Sequence, residues 1–197
     1  MNGPRPTEPP RGKQAVVLAV TAAARDLFAS KGFAAVSVRD IAEAAGVNHG
    51  LVHRHFGSKD AVLRAVLQGM FSTVGNDVRS GLDLAAPDFI SRLYPLVTER
   101  KQDWQILMRA VLDGYDFSSG GFDFPITATV LAHVKARRGT HTSDAPEVAA
   151  AIIAGGLGWL LLETYLAPVL GLQDRDPEAL RARMAALFAS LVDSPPQ

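Results

Sequence analysis

Cysteine is absent from the 197 residues. That excludes disulfides, thiolate metal sites and a cysteine nucleophile, and it suits a reducing cytoplasm. The formal net charge is zero, so the chain as a whole is neither strongly basic nor an acidic tail. No apolar run reaches the roughly 20 residues that a membrane span needs. The nearest stretch, from about Ala145 to Leu162, is broken by Glu147 and contains Gly155, Gly156 and Gly158. It reads as a buried soluble helix, and no membrane partner is expected. Met1-Asn2-Gly3-Pro4-Arg5-Pro6 has no apolar core, so no signal peptide is expected and the location read is cytoplasmic. The chain contains no H-E-x-x-H, no G-x-S-x-G and no phosphate-binding P-loop. No catalytic residue and no cofactor are therefore expected, and the chain is not read as an enzyme. Alternation of apolar and polar residues at the period of a strand is also missing, which points to an all-α fold.

What is present begins with 48% hydrophobic residues, enough to bury a real core and to exclude disorder. The charge is unevenly spread. Residues 1–64 hold nine Lys/Arg against five Asp/Glu, a balance of +4, and residues 65–197 hold eleven against fifteen, a balance of −4. A basic end on a neutral chain is the footprint of a polyanion-binding module with a second domain attached. A swing of four charges is also within reach of chance. Residues 1–13 carry Pro4, Pro6, Pro9 and Pro10 with Arg5, Arg11 and Lys13. They read as a disordered basic arm, either inert or reaching DNA phosphates.

About nine helices follow from periodicity and punctuation. The first covers Ala15–Lys31, with Val17, Val20, Ala24, Leu27 and Phe28 at helical spacing and Gly32 as its stop. Ser37-Val38-Arg39-Asp40 has the pattern of a capping box and starts a second helix that ends before Gly46. Asn48 caps a third, and Gly57-Ser58 separates it from a long fourth running from Lys59 to about Leu82. Further helices are expected over 88–99, 102–115, 125–138, 144–170 and 176–192.

The second and third helices make a compact pair joined by a three-residue turn. Such a pair needs a small residue at the crossing, here Ala42, and a residue tolerant of positive φ in the turn, here Gly46. It also needs apolar packing, supplied by Ile41, Val47 and Val52. This is the spacing of a DNA-binding helix-turn-helix. The stretch Val20–Leu67 resembles the DNA-binding domain of the TetR family of repressors. The resemblance rests on Leu27-Phe28-Ala29, Lys31-Gly32-Phe33, the run Ser37 to Asn48, Gly50, and His55-Phe56-Gly57-Ser58-Lys59-Asp60-Ala61-Val62-Leu63.

That resemblance implies a three-helix DNA-binding domain over 14–60 and a helical domain over 61–194. The second domain would hold an effector pocket and form a homodimer through its last two helices, with the fourth helix as the lever between them. The implied partners are double-stranded DNA with a palindromic operator and a small apolar or aromatic effector. The function read is a repressor that the effector releases. An activator, or a helical interaction module without ligand response, is the alternative.

The third helix would enter the major groove, where base edges carry the full donor and acceptor code. His49, Gly50 and Arg54 lie on its outer side, and Arg54 suits the O6/N7 pair of guanine. Arg39 reaches a base or a phosphate. Ser37, Asn48 and Lys59 stand at helix N-termini, and Lys59 matches the family lysine that holds backbone phosphate. Two residues depart from the family pattern. Leu51 replaces a frequent threonine and could touch a thymine methyl instead. His53 replaces a usual tyrosine and would pair with phosphate when protonated. His55 reads as structural. His49 and His53 are spaced for one face of a helix, but no third ligand is near in sequence, so no metal is expected.

In the C-terminal half, Leu180, Met184, Leu187, Phe188 and Leu191 form a stripe that could meet the glycine-rich helix in a four-helix dimer interface. Trp104, Met108, Tyr115, Phe117, Phe122, Phe124, His133, Trp159 and Tyr165 are the candidate lining of the effector pocket, with Glu163 as a polar anchor.

Overall fold

The computed structural model describes residue 10 and residues 12–79, 83–118, 122, 124–139 and 143–193. Most of the proline-rich arm and the end of the expected fourth helix, at 80–82, lie outside the described residues. Nine helices and no strand are found among those described: α1 (Lys13–Lys31), α2 (Val38–Ala44), α3 (His49–Phe56), α4 (Lys59–Arg79), α5 (Ala86–Thr98), α6 (Lys101–Leu112), α7 (Pro125–Arg138), α8 (Ala145–Val169) and α9 (Pro177–Asp193). No single helix among them is long and apolar enough to cross a membrane.

Contacts divide the chain into two compact units. One comprises residues up to Met70 together with Gln105–Phe122, and the other comprises Phe71–Trp104 and Asp123 onward.

In the first unit, α1 buries Val16, Val20, Ala24 and Phe28, one residue per turn. Burying each of the larger side chains contributes about 1.5–3 kcal/mol. These residues share a core with Val36, Ile41, Ala42, Val52, Val62, Leu63 and Leu67, all 2% exposed or less. Gly32, at φ 84°, stops α1, its N–H donating to Phe28 O at 3.0 Å. Gly46, at φ 64°, stops α2 in a Schellman motif: its N–H donates to Glu43 O, and that of Val47 to Ala42 O. A side chain with a Cβ is strained at that φ, which is why glycine stands between the paired helices.

The second unit has one core built from α4, α5, α7, α8 and α9, including Val74, Phe89, Val130, Ala149, Ile152 and Ala189. Two glycines let its helices approach. A Cβ on Gly75 would lie 2.6 Å from the ring of Pro125, and one on Gly155 would overlap the ring of Phe188. The side chain of Phe188 therefore fills the space above Gly155 within one chain, while Gly156 and Gly158 face open space. α8 bends by 72° between its segments Ala145–Trp159 and Leu161–Val169.

One guanidinium joins three of these helices. Arg138, near the end of α7, donates from Nη1 to both carboxylate oxygens of Asp144 at 2.8 and 2.7 Å, and from Nη2 to Leu191 O at 2.8 Å. Asp144 is the residue that precedes α8, so the ends of α7, α8 and α9 meet at one side chain.

Candidate nucleic-acid interface

α3 is short and closed at both ends. Asn48 caps it, Oδ1 accepting from the N–H of Gly50 at 2.8 Å. Gly57, at φ 82°, ends it. A Cβ on Gly50 would lie 3.2 Å from Asn48 Oδ1, so the glycine gives the cap its room. Val52 is the buried residue that fixes the helix to the core. The opposite face carries His49, Gly50, His53 and Arg54, all exposed, at positions that recur every four residues. Leu51 and His55 flank it, half-buried. The result is an outward face of two imidazoles, one guanidinium and bare backbone, free of carboxylates.

His53 is oriented by its own helix end. Its Nδ1 lies 3.1 Å from Gly57 O, and its ring meets that of His49 edge-on at 6.2 Å between centroids. A carbonyl oxygen only accepts, so Nδ1 carries the hydrogen and Nε2 faces outward.

The start of α2 is already satisfied. Ser37 Oγ accepts from Asp40 N–H at 3.2 Å and donates to Asp40 Oδ2 at 2.7 Å, and Ser37 N–H donates to the same oxygen at 2.8 Å. The capping box read from the sequence is complete. The hydroxyl and then the amide of Ser37 hold the Asp40 carboxyl below its usual 3.8. The carboxylate thus takes the anion position at this helix start, and the serine hydroxyl turns to it. Arg39, the residue before Asp40, is exposed.

At the start of α4, Ser58 Oγ accepts from Ala61 N–H at 3.1 Å. Lys59 turns back toward the α1–α2 turn. Its Nζ donates to Phe33 O at 2.8 Å and stands 4.2 Å from the centroid of the Phe33 ring. An ammonium has three hydrogens, so this bond leaves it able to take an anion as well.

The expected DNA contacts thus all lie in the first unit. The residues expected to line a pocket divide between the two units. Tyr115, Phe117 and Phe122 belong to the first unit, where they pack on one another at 5.0–6.1 Å, and Met108 is half-buried in the same unit. Phe124 meets Phe71 at 5.5 Å in the second unit. His133 is stacked on Phe89 at 4.0 Å, deep in that unit's interior. Trp104 and Trp159 are buried in the second unit, their indole N–H groups unpartnered among the described residues. Glu163 is half-buried and Tyr165 is exposed.

An open concavity of about 330 Å³ in the first unit is lined by Phe33, Asp60, Arg64, Asp113, Gly114, Tyr115 and Asp116. Arg109 and Asp113, which border the same region, carry no motif. Arg109 Nη1 donates to Ser30 O at 2.8 Å, and Asp113 Oδ2 accepts from Ala34 N–H at 3.0 Å.

A capped pair of short helices, packed together with Ala42 buried and presenting a carboxylate-free face on the second, defines a helix-turn-helix regulator. The profile of bacterial regulatory proteins of the tetR family matches residues 20–66. The HTH-type transcriptional repressor Rv3405c of Mycobacterium tuberculosis is 35% identical over 185 residues, covering 93% of each chain. Among solved structures, a tetR-family regulator from Rhodococcus RHA1 superposes with a TM-score of 0.67 at 22% identity, over 90% of this chain and 96% of the other. Salmonella enterica GusR gives 0.69 at 17% identity, over 91% and 96%. The chain belongs to the TetR family of bacterial transcriptional regulators. The all-helical fold with an N-terminal helix-turn-helix, expected from the sequence, is the fold observed.

Proposed function

We propose that this chain represses transcription by binding a palindromic operator as a homodimer, and that a small apolar or aromatic ligand releases it. Residues 14–60 serve as the DNA-binding domain and residues 61–194 carry effector binding and dimerisation. The exposed face of α3 carries the reading: His49, Gly50, His53 and Arg54 stand together on a helix fixed from behind by Val52. Arg54 reads guanine, Leu51 meets a thymine methyl, and His53 and Lys59 grip phosphates. Arg39 and Asn48 flank this surface. Repression is favoured over activation because relatives such as the M. tuberculosis protein are named repressors.

Exposed apolar residues on the last two helices support the dimer. Leu162, Tyr165 and Val169 on α8 are 49–64% exposed, and Leu187 and Leu191 on α9 are 61% and 37% exposed. A patch of this kind marks an interaction surface. Two recognition helices related by a two-fold axis would meet successive major grooves about 34–36 Å apart. The effector acts by binding the conformation whose recognition helices are wrongly spaced. Its site uses Trp104, Trp159 and neighbouring apolar side chains of the second unit, with Glu163 as polar anchor. No catalysis is assigned to the chain, and it acts in the cytoplasm.

A reporter placed behind a DNA site that the purified chain selects from a random duplex library tests this. Expression of the chain should lower reporter output, and an active ligand should restore it. Output that rises on expression favours the activator instead.

A further inference from the structure

We propose that Tyr115 is a positioning residue for Lys59, acting through the ring and carbonyl of Phe33. The inference rests on the reading of Lys59 as a phosphate contact. It assigns to the loop after α6, remote in sequence from the helix-turn-helix, a share of the grip on DNA.

Lysine carries its charge on a flexible four-carbon stem and loses much rotamer freedom when it settles on a phosphate. A lysine held beforehand avoids part of that loss. Lys59 is held twice, by the bond from Nζ to Phe33 O at 2.8 Å and by the Phe33 ring 4.2 Å away. Both tethers belong to one residue in a short turn, so Lys59 is only as well placed as Phe33.

Phe33 has two backing rings. Phe28 of α1 lies at 5.6 Å, tilted. Tyr115 lies at 5.4 Å with its ring at 85° to that of Phe33, the edge-to-face arrangement aromatic pairs favour. Backbone geometry delivers Tyr115 to this place. Gly114, at φ 75°, ends α6 in a Schellman motif, its N–H donating to Val111 O at 3.0 Å and that of Tyr115 to Ala110 O at 2.9 Å. Phe117 and Phe122 then close on Tyr115 at 5.0 and 6.1 Å.

The same turn is tied at two further points. Arg109 holds Ser30 O and Asp113 holds Ala34 N–H, on either side of Phe33 in sequence. Three residues near the end of α6 and just after it, Arg109, Asp113 and Tyr115, therefore fix both backbone and ring of the turn that holds Lys59. All of these contacts lie inside the first unit.

The test is a double-mutant cycle read by salt dependence. The probe is a fluorescent duplex carrying the site selected by the wild-type protein. Each phosphate contact contributes about 0.9 to the slope of log affinity on log salt, so Lys59→Ala should lower the slope by about 1.8 per dimer and weaken binding about tenfold or more. Tyr115→Ala should lower the slope in the same direction. The double variant should bind no more weakly than Lys59→Ala alone. Tyr115→Phe, which keeps the ring, should behave as wild type. A merely structural loss would reduce the active fraction and leave the slope unchanged. If Tyr115→Ala melts below the assay temperature, Tyr115→Leu, which keeps apolar bulk without a ring edge, replaces it with the same expectation. An unchanged slope in the Tyr115 variants, or full additivity with Lys59→Ala, overturns the inference. An unchanged slope in Lys59→Ala overturns the phosphate reading of Lys59 and the inference with it, while base reading by α3 stands.

Discussion

His53 Nδ1 lies 3.1 Å from the carbonyl oxygen of Gly57, the residue that ends the recognition helix. The bond fixes the tautomer. With Nδ1–H given to the carbonyl, neutral His53 shows only a lone pair at Nε2, and a phosphate oxygen finds no donor there. Protonation places an N–H and a positive charge at that atom. His53→Ala, which removes that donor, should weaken operator binding by up to about tenfold, and His49→Ala should cost less. Fluorescence anisotropy at fixed pH and ionic strength makes the comparison. Equal affinity in wild type and His53→Ala would remove His53 from the phosphate contact.

Arg54 should carry base identity rather than general affinity. Arg54→Ala should cost about 1–3 kcal/mol on the selected site and relax preference at one base pair in each half-site. Binding to unrelated duplex should change much less. Competition against single-base variants of the site measures both.

Gly155 and Gly156 are neighbours with opposite expectations. Gly155→Ala drives a methyl into the Phe188 ring and should cost about 1–3 kcal/mol of stability. Gly156 meets nothing within 4 Å, so alanine there should stabilise the helix by up to about 1 kcal/mol through backbone entropy. Thermal unfolding tests the contrast. A Gly156→Ala protein that dissociates more readily on dilution would place Gly156 in the dimer contact, as the glycine pattern suggests.

Arg138 should be the most sensitive charged residue in the second unit. Its side chain is 5% exposed, and Asp144 is 34% exposed. Removing the guanidinium leaves the partly exposed Asp144 carboxylate and the Leu191 carbonyl to water, and Arg138→Ala should cost about 1–3 kcal/mol. Arg138→Lys should recover only part of that, because an ammonium cannot span both carboxylate oxygens and the third partner. Urea unfolding midpoints report the difference.

The Asp40 carboxyl, held below 3.8 by the Ser37 hydroxyl and amide, stabilises the start of α2 at every pH above that value. The contribution disappears as pH falls through the lower native value. Asp40→Asn should thus be less stable than wild type at neutral pH and nearly equal to it in strong acid. A constant gap at all pH values would assign the effect to packing instead.

The reading head was legible in the sequence because its signals are local. Ser37 with Asp40, Gly46, Asn48 and Gly57 each act within four residues, and each stands where the chain pattern placed it. The aromatic residues of the C-terminal half were read by type alone, which carries no register. Type alone could not show that Tyr115, Phe117 and Phe122 pack on one another in the first unit, with Tyr115 at the edge of a concavity. The contacts from Arg109 to Ser30 and from Asp113 to Ala34 cross 79 positions, and no periodicity encodes such a pairing. Gly155 was legible as a close-approach residue, but the identity of its neighbour, Phe188 of the same chain, required the fold.

The most direct test is selection of binding sites by the purified protein from a random duplex library. The expected product is a palindrome whose half-sites lie about one helical turn apart or somewhat more, matching two α3 helices on a two-fold axis. A library that emerges without any enriched sequence, at low salt and with protein freed of bound ligand, would contradict sequence reading by α3 and move the function to the C-terminal helices.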